Sequence, residues 1–187
     1  DETLGKFALG ECGSMCQLLG MNCNTPTDIG FSFAGFRKRG GATDHHKDGF
    51  GIVFFEKSQC GATAGLRQFH DDKPSYNSPV ADLINAYPIK AMNVICHIRK
   101  ATQGGTCLAN THPFVRELWG RNWCFAHNGQ LADFNPRTSF YRPIGDTDSE
   151  AAFCDVLNRV REAFPEPVDV QTLIPVLVAA CAEYRGK

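Results

Sequence analysis

Apolar residues along this chain keep two different rhythms. Between Pro26 and Gly41, Ile29, Phe33 and Phe36 fall three and four residues apart, the spacing of one helix face, after the polar start Pro26-Thr27-Asp28. The pattern predicts an amphipathic helix that stops at Gly40-Gly41. Ile52 to Phe55 is a continuous apolar, β-prone run, short enough for a buried strand. Asn93 to Ile98, centred on Val94-Ile95-Cys96, predicts a second strand, and Trp123 to His127 a third. Asn128-Gly129 follows at once, a dipeptide that predicts a hairpin turn. Residues 58 to 79 are rich in Gly, Pro, Ser, Asp and Lys and read as loop.

The last quarter of the chain reads as helix. Thr147-x-x-Glu150 is a capping box, and Phe153, Val156, Leu157, Val160 and Phe164 share the face of the helix it opens. Pro165 stops that helix. A final one carries Leu173, Val176, Leu177, Ala180 and Tyr184 on one face and runs into Arg185-Gly186-Lys187. Strands come early and helices late, with no βαβ alternation and no glycine-rich phosphate loop. That order predicts an α+β layered domain, not a doubly wound nucleotide-binding sheet.

A length of 187 residues suits one domain, or at most one with a fragment of another. The net charge of −1 provides no basic surplus for nucleic acid. The longest apolar run is far short of the ~18 residues that span a membrane, so no membrane partner is expected. No signal-peptide pattern is visible, which makes the cytoplasm the expected compartment. The cysteine count, nine, is odd and includes no C-x-x-C pair, which speaks against a zinc ribbon and a full disulfide framework. In a reducing compartment most of them are expected to be small buried hydrophobes, Cys16 excepted. Asp1 to Ser14 is polar and without period, and Met15 reads like a natural start. Residues 1–15 are therefore expected to be a leader (a cloning remnant, a propeptide or an upstream extension) before a domain over 16–187.

Candidate chemistry lies in a series of short motifs. Met15-Cys16 is followed by Arg39-Gly40-Gly41 and Asp48-Gly49-Phe50-Gly51. Then come His97-Ile98-Arg99-Lys100-Ala101-Thr102, Asn110-Thr111-His112-Pro113-Phe114, Ala126-His127-Asn128-Gly129 and Thr147-Asp148-Ser149-Glu150. Singly, each has an ordinary reading: an inert thiol, a surface arginine, a turn, an acidic residue favoured at a helix N-terminus. In this order the set resembles the glutaminase domain of class II glutamine amidotransferases, which are N-terminal-nucleophile hydrolases, and most of all the small stand-alone bacterial members. The resemblance runs from Met15 to near the chain end. It implies a four-layer αββα sandwich of two antiparallel sheets. It also implies a C-terminal part beyond Lys187, since family members continue with further strands.

The resemblance assigns roles residue by residue. Cys16 matches the nucleophile, whose own α-amine is the base in the family. Asn128 and Gly129 match the oxyanion donors. Arg99, with Thr102 beside it, matches the group that binds the substrate α-carboxylate, a partner suited to a guanidinium fork. Asp148 matches the residue that takes the α-ammonium, and His112 is expected to line the pocket without moving protons. No metal and no cofactor are implied. The implied reaction is hydrolysis of the glutamine amide to glutamate and ammonia through a γ-glutamyl thioester, with the ammonia going to a separate synthase or to solution. Two alternatives stand beside it. A γ-glutamyl peptide or conjugate hydrolase would use the same residues. A metal-binding or regulatory module would draw on His45-His46 and His70, although adjacent histidines usually point apart.

Overall fold

The computed structural model describes residues 16–57, 65–131 and 135–184. The expected leader over residues 1–15, Cys60 and the final Arg185-Gly186-Lys187 lie outside them. The described chain is α+β, with two antiparallel sheets and four α-helices.

The larger sheet holds β1 (Gln17–Asp28), β2 (Phe50–Glu56), β3 (Gly65–Asp71) and β4 (Lys90–Ile98), in the order β1-β4-β2-β3. Helices α1 (Gly30–Phe36) and α2 (Pro79–Ala86) pack on one of its faces. Strand alternation sends Ile52 and Phe54 of β2, and Val94, Cys96 and Ile98 of β4, into that core, where they meet Ile29, Phe33 and Ile84. The predicted first helix is therefore real, though it starts at Gly30 and tightens into a 3-10 turn over Arg37–Arg39. Asp28 accepts the Gly30 N–H at 2.7 Å, as its place before the helix suggested.

Three strands are corrections. β1 was not anticipated, because Gly20, Asn22, Asn24 and Pro26 make a poor strand by composition. It is an edge strand, where proline is tolerated, and its pairing with β4 is interrupted between Asn22 and Thr27. β3 lies inside the stretch read as loop. It too is an edge strand, half-exposed, and owes its form to the fully paired β2 beside it. β5 (Phe114–Leu118) pairs with β6 (Arg121–Phe125), the predicted third strand, to make the second sheet.

The turn of that hairpin is Trp119-Gly120, with φ of 59° and 68°, the positive pair that a two-residue primed turn needs. The turn expected at Asn128-Gly129 is not there, since no strand follows Phe125 among the described residues. α3 (Asp148–Ala163) and α4 (Val170–Ala182) cover this hairpin. Phe125 stacks on Phe153 at 5.4 Å, and the predicted faces of both helices form the second core, except Phe164, which lies past the end of α3 and outside that core. Thr147 does cap α3, accepting the Glu150 N–H at 3.2 Å. The reciprocal half of the box is absent, because the Glu150 carboxylate turns to Arg116 and to the N–H groups of Ile144 and Gly145.

The free face of the larger sheet meets the segment leading into β5. A Cβ on Gly51 would sit 2.3 Å from the His112 carbonyl oxygen, so only glycine lets the chains approach this closely. No described helix is long and apolar enough to cross a membrane.

Candidate active site

Cys16 directly precedes β1. The register that pairs Gln17 with Ile98 sets it beside Arg99 and Lys100 at the end of β4. The half-buried thiol is gripped by backbone: Sγ donates to the Lys100 carbonyl at 3.3 Å and accepts the Lys100 N–H at 3.2 Å. The buried thiols of Cys96 and Cys154 are pushed up by burial, and that of half-buried Cys124 rises to about 12 for the same reason. Since the thiolate is the nucleophile, these three are poor candidates. Cys23 is half-buried, and Cys107 and Cys181 are exposed, so these three depart from the expectation that most thiols other than Cys16 are buried.

Beyond Lys100 the chain makes a loop that is pinned on three sides. Asp48 accepts the Ala101 N–H at 2.8 Å and the Thr106 hydroxyl at 3.4 Å. Buried Arg99 turns its guanidinium under the loop, donating to the carbonyls of Gln103 (2.8 Å), Gly104 (3.2 Å) and Gly105 (3.0 Å). Asn110, also buried, donates to the Gly105 carbonyl at 2.8 Å. Thr102 is exposed on this loop. Arg99 is thus where the sequence placed it, but its fork is engaged by the loop.

Asp148 opens α3 and folds back on its surroundings. One oxygen accepts the N–H and hydroxyl of Ser149, and the other accepts the Leu131 N–H at 2.7 Å. The chain after Asn128-Gly129 is thereby tied to the start of α3. Gln103, Leu131, Asp146 and Asp148 line one pocket of about 370 Å³, so the Arg99 loop and Asp148 do come together. Asn128 is half-buried and its Oδ1 is enclosed, with no hydrogen-bond partner among the described residues. A Cβ on Gly129 would lie 3.0 Å from His127 Nε2, close enough that the ring would have to give by a few tenths of an ångström. The other nitrogen of His127 pairs with the Ser149 hydroxyl at 3.0 Å. Burial, the larger effect, lowers the pKa of His127, against a raising influence from Asp148.

His112 is 5% exposed, its ring 4.3 Å from that of His97 and 4.4 Å from that of Phe114. Both its ring nitrogens lack a partner among the described residues. Burial, and next the neighbouring His97, push its pKa down to about 2, while burial brings His97 to about 4. Both rings are therefore neutral at working pH. In the unfolded chain both bind protons near pH 6.5. Stability is thus full above about 6.5 and falls as pH drops through 5 toward the folded values. Melting scans should show Tm lower by several degrees at pH 5 than at pH 7, and a His112→Phe variant should flatten that dependence. An unchanged slope in the variant would show that the buried ring is not its source.

Asp48, Asn110 and Asp146 were not singled out as site residues from sequence. Asp48 and Asn110 stand inside the quoted motifs, which was the available signal. His45 is exposed and His46 buried, and no three His, Cys, Asp or Glu side chains converge among the described residues.

The family model for class II glutamine amidotransferases matches residues 15–187. A Haemophilus influenzae protein and the Escherichia coli K12 protein YafJ, each named "Putative glutamine amidotransferase", are 52% and 49% identical over 91% and 92% of this chain. This chain spans 57% and 66% of their lengths. The crystal structure of a predicted glutamine amidotransferase from Pseudomonas aeruginosa PA01 matches with a TM-score of 0.67 and 52% identity, covering 92% of this chain and 66% of that one.

Proposed function

Because this chain belongs to the class II glutamine amidotransferases, we propose that it hydrolyses the side-chain amide of glutamine through a γ-glutamyl thioester on Cys16. The observation that carries this reading is the placement of Cys16. Its thiol is held at the end of the strand that bears Arg99, and the Arg99 loop shares a pocket with Asp148.

In this mechanism a free α-amine on Cys16 takes the thiol proton, and sulfur attacks the amide carbon. An α-amine has a pKa of about 7.7–8.0 and is partly neutral at working pH, which suits a general base. The tetrahedral oxyanion is met by the Asn128 side-chain amide and the Gly129 N–H. A carboxamide oxygen without a partner fits a group kept for another purpose, and a half-turn of the amide would present its N–H₂ instead. The C–N bond breaks as the amine returns its proton to the leaving nitrogen, and ammonia departs. Water then attacks the thioester, the same amine accepts its proton, and glutamate and the thiol are released.

Arg99 takes the α-carboxylate and Asp148 the α-ammonium, with Thr102 and His112 as neighbouring walls. Bidentate binding at Arg99 requires the carboxylate to replace some of the loop carbonyls. Gly105 stays, since Asn110 holds the same oxygen, so those of Gln103 and Gly104 yield. We also infer that the domain is a four-layer αββα sandwich, a reading supported by the ring stack of His97, His112 and Phe114 between the two sheets. The cytoplasm is the proposed compartment, with a separate synthase or solution receiving the ammonia.

The test is to incubate the protein, with Cys16 as its first residue, with glutamine and with a panel of γ-glutamyl peptides, measuring released glutamate. Release from glutamine supports the reading. Release from the peptides alone moves the assignment to a γ-glutamyl hydrolase, and release from neither overturns it. Asn128→Ala should leave KM nearly unchanged and lower kcat by about 10²–10³, the usual loss for one oxyanion donor. Normal turnover in that variant would remove Asn128 from the oxyanion site.

A further inference from the structure

Asn110 makes three of its four possible side-chain hydrogen bonds at one point of the fold. It is 1% exposed. Its Nδ2 donates to the Gly105 carbonyl at 2.8 Å and to Asp146 Oδ1 at 2.5 Å, while its Oδ1 accepts the Asp146 N–H at 3.0 Å. Gly105 belongs to the loop under which Arg99 is tucked. Asp146 lies two residues before Asp148. One buried carboxamide therefore joins the two segments that line the same pocket.

The surroundings are shaped to this bridge. A Cβ on Gly145 would lie 2.1 Å from Asn110 Oδ1, and one on Gly104 would lie 2.4 Å from Asp146 Oδ1. Gly104 moreover has a φ of +73°, which side chains rarely adopt. Both glycines let the segments close around the carboxamide. No residue of another type supplies the same set: aspartate has no donor, glutamine is too long for the gap, and serine cannot serve three partners.

We propose that Asn110 is a positioning residue that locks the Arg99 loop to the segment carrying Asp148 and so fixes the distance between the two substrate-binding charges. This rests on the glutamine-site reading above. An amino acid held by its α-carboxylate and α-ammonium presents its side chain in register only if those two holders keep their separation, and misplacement by about 1 Å can cost about 10²-fold in rate. Asn110 touches neither substrate nor reacting atoms. It acts through Gly105 and Asp146.

The test compares Asn110→Asp with the swap Asn110→Asp/Asp146→Asn. The single variant removes both donors and sets two carboxylates against each other. The swap restores a donor between positions 110 and 146, though not the bond to Gly105. KM for the cleaved substrate should rise about tenfold or more in the single variant, with kcat falling less, and the swap should recover part of the KM. Hydrogen exchange, read on the same proteins, should show residues 101–106 and 145–148 losing protection together in the single variant. An unchanged KM alongside a lowered Tm would overturn the proposal, leaving Asn110 a merely structural residue. Should the parent protein cleave no glutamyl substrate, the function reading fails and the exchange measurement alone decides. Loosening of only one of the two segments would then overturn the coupling.

Discussion

A protein whose first residue is Cys16 releases glutamate from its substrate, and one that still begins at Asp1 releases none. The expectation follows from the chemistry of one nitrogen. At the head of a chain it is an amine that titrates near pH 8 and can accept the thiol proton. Joined to Met15 it is a peptide amide, which is not a base. A chain that continues before Cys16 thus lacks the proton acceptor. Expression from Met15, with that methionine trimmed by the cell, gives the first protein; the 187-residue chain gives the second. N-terminal sequencing must accompany both assays, because a chain that processes itself would turn the second into the first. Full turnover from molecules shown to begin at Asp1 would mean that another group accepts the proton, and the N-terminal-nucleophile mechanism would have to be given up here.

The sequence was most legible where one element determines its own form. The faces of α3 and α4 came out as read, because Phe153, Leu157 and Val160, and Leu173, Leu177 and Ala180, repeat at helical spacing. β2 was legible because a run such as Ile52 to Phe55 has few other uses. The edge strands β1 and β3 were not, since their pairing comes from β4 and β2, which lie far away in sequence. Asn128-Gly129 misled for a related reason. Asn-Gly favours a primed turn, but Trp119-Gly120 closes the hairpin nine residues earlier, and the Asn-Gly pair is held instead between His127 and the Leu131–Asp148 bond. For the candidate site, sequence order singled out Cys16, Arg99 and Asp148. It could not show that the Arg99 fork is occupied by its own loop, because backbone carbonyls carry no sequence signature.

Glu150→Ala should cost about 3–5 kcal/mol of stability, the range for breaking one partner out of a buried ion pair. The carboxylate is 1% exposed and serves three groups: the Arg116 guanidinium and the N–H groups of Ile144 (3.0 Å) and Gly145 (2.7 Å). Alanine would leave all three without it, inside the second core's edge where water does not readily replace it. Arg116 retains 18% side-chain exposure and can turn outward, which favours the lower end of the range. For a domain of this size that loss corresponds to a fall in Tm of roughly 6–20 °C. Adding Arg116→Ala to Glu150→Ala should recover part of it, because the uncompensated cation goes too, whereas the two backbone N–H groups stay unsatisfied in both. The same N–H groups belong to the stretch that enters α3, so Glu150 holds the base on which Asp146 and Asp148 stand. Folded Glu150→Ala protein should therefore bind substrate more weakly as well. A Tm drop of under about 2 °C, less than 1 kcal/mol on the same scale, would show that solvent takes over the carboxylate's partners and that this ion pair does not hold the site in shape.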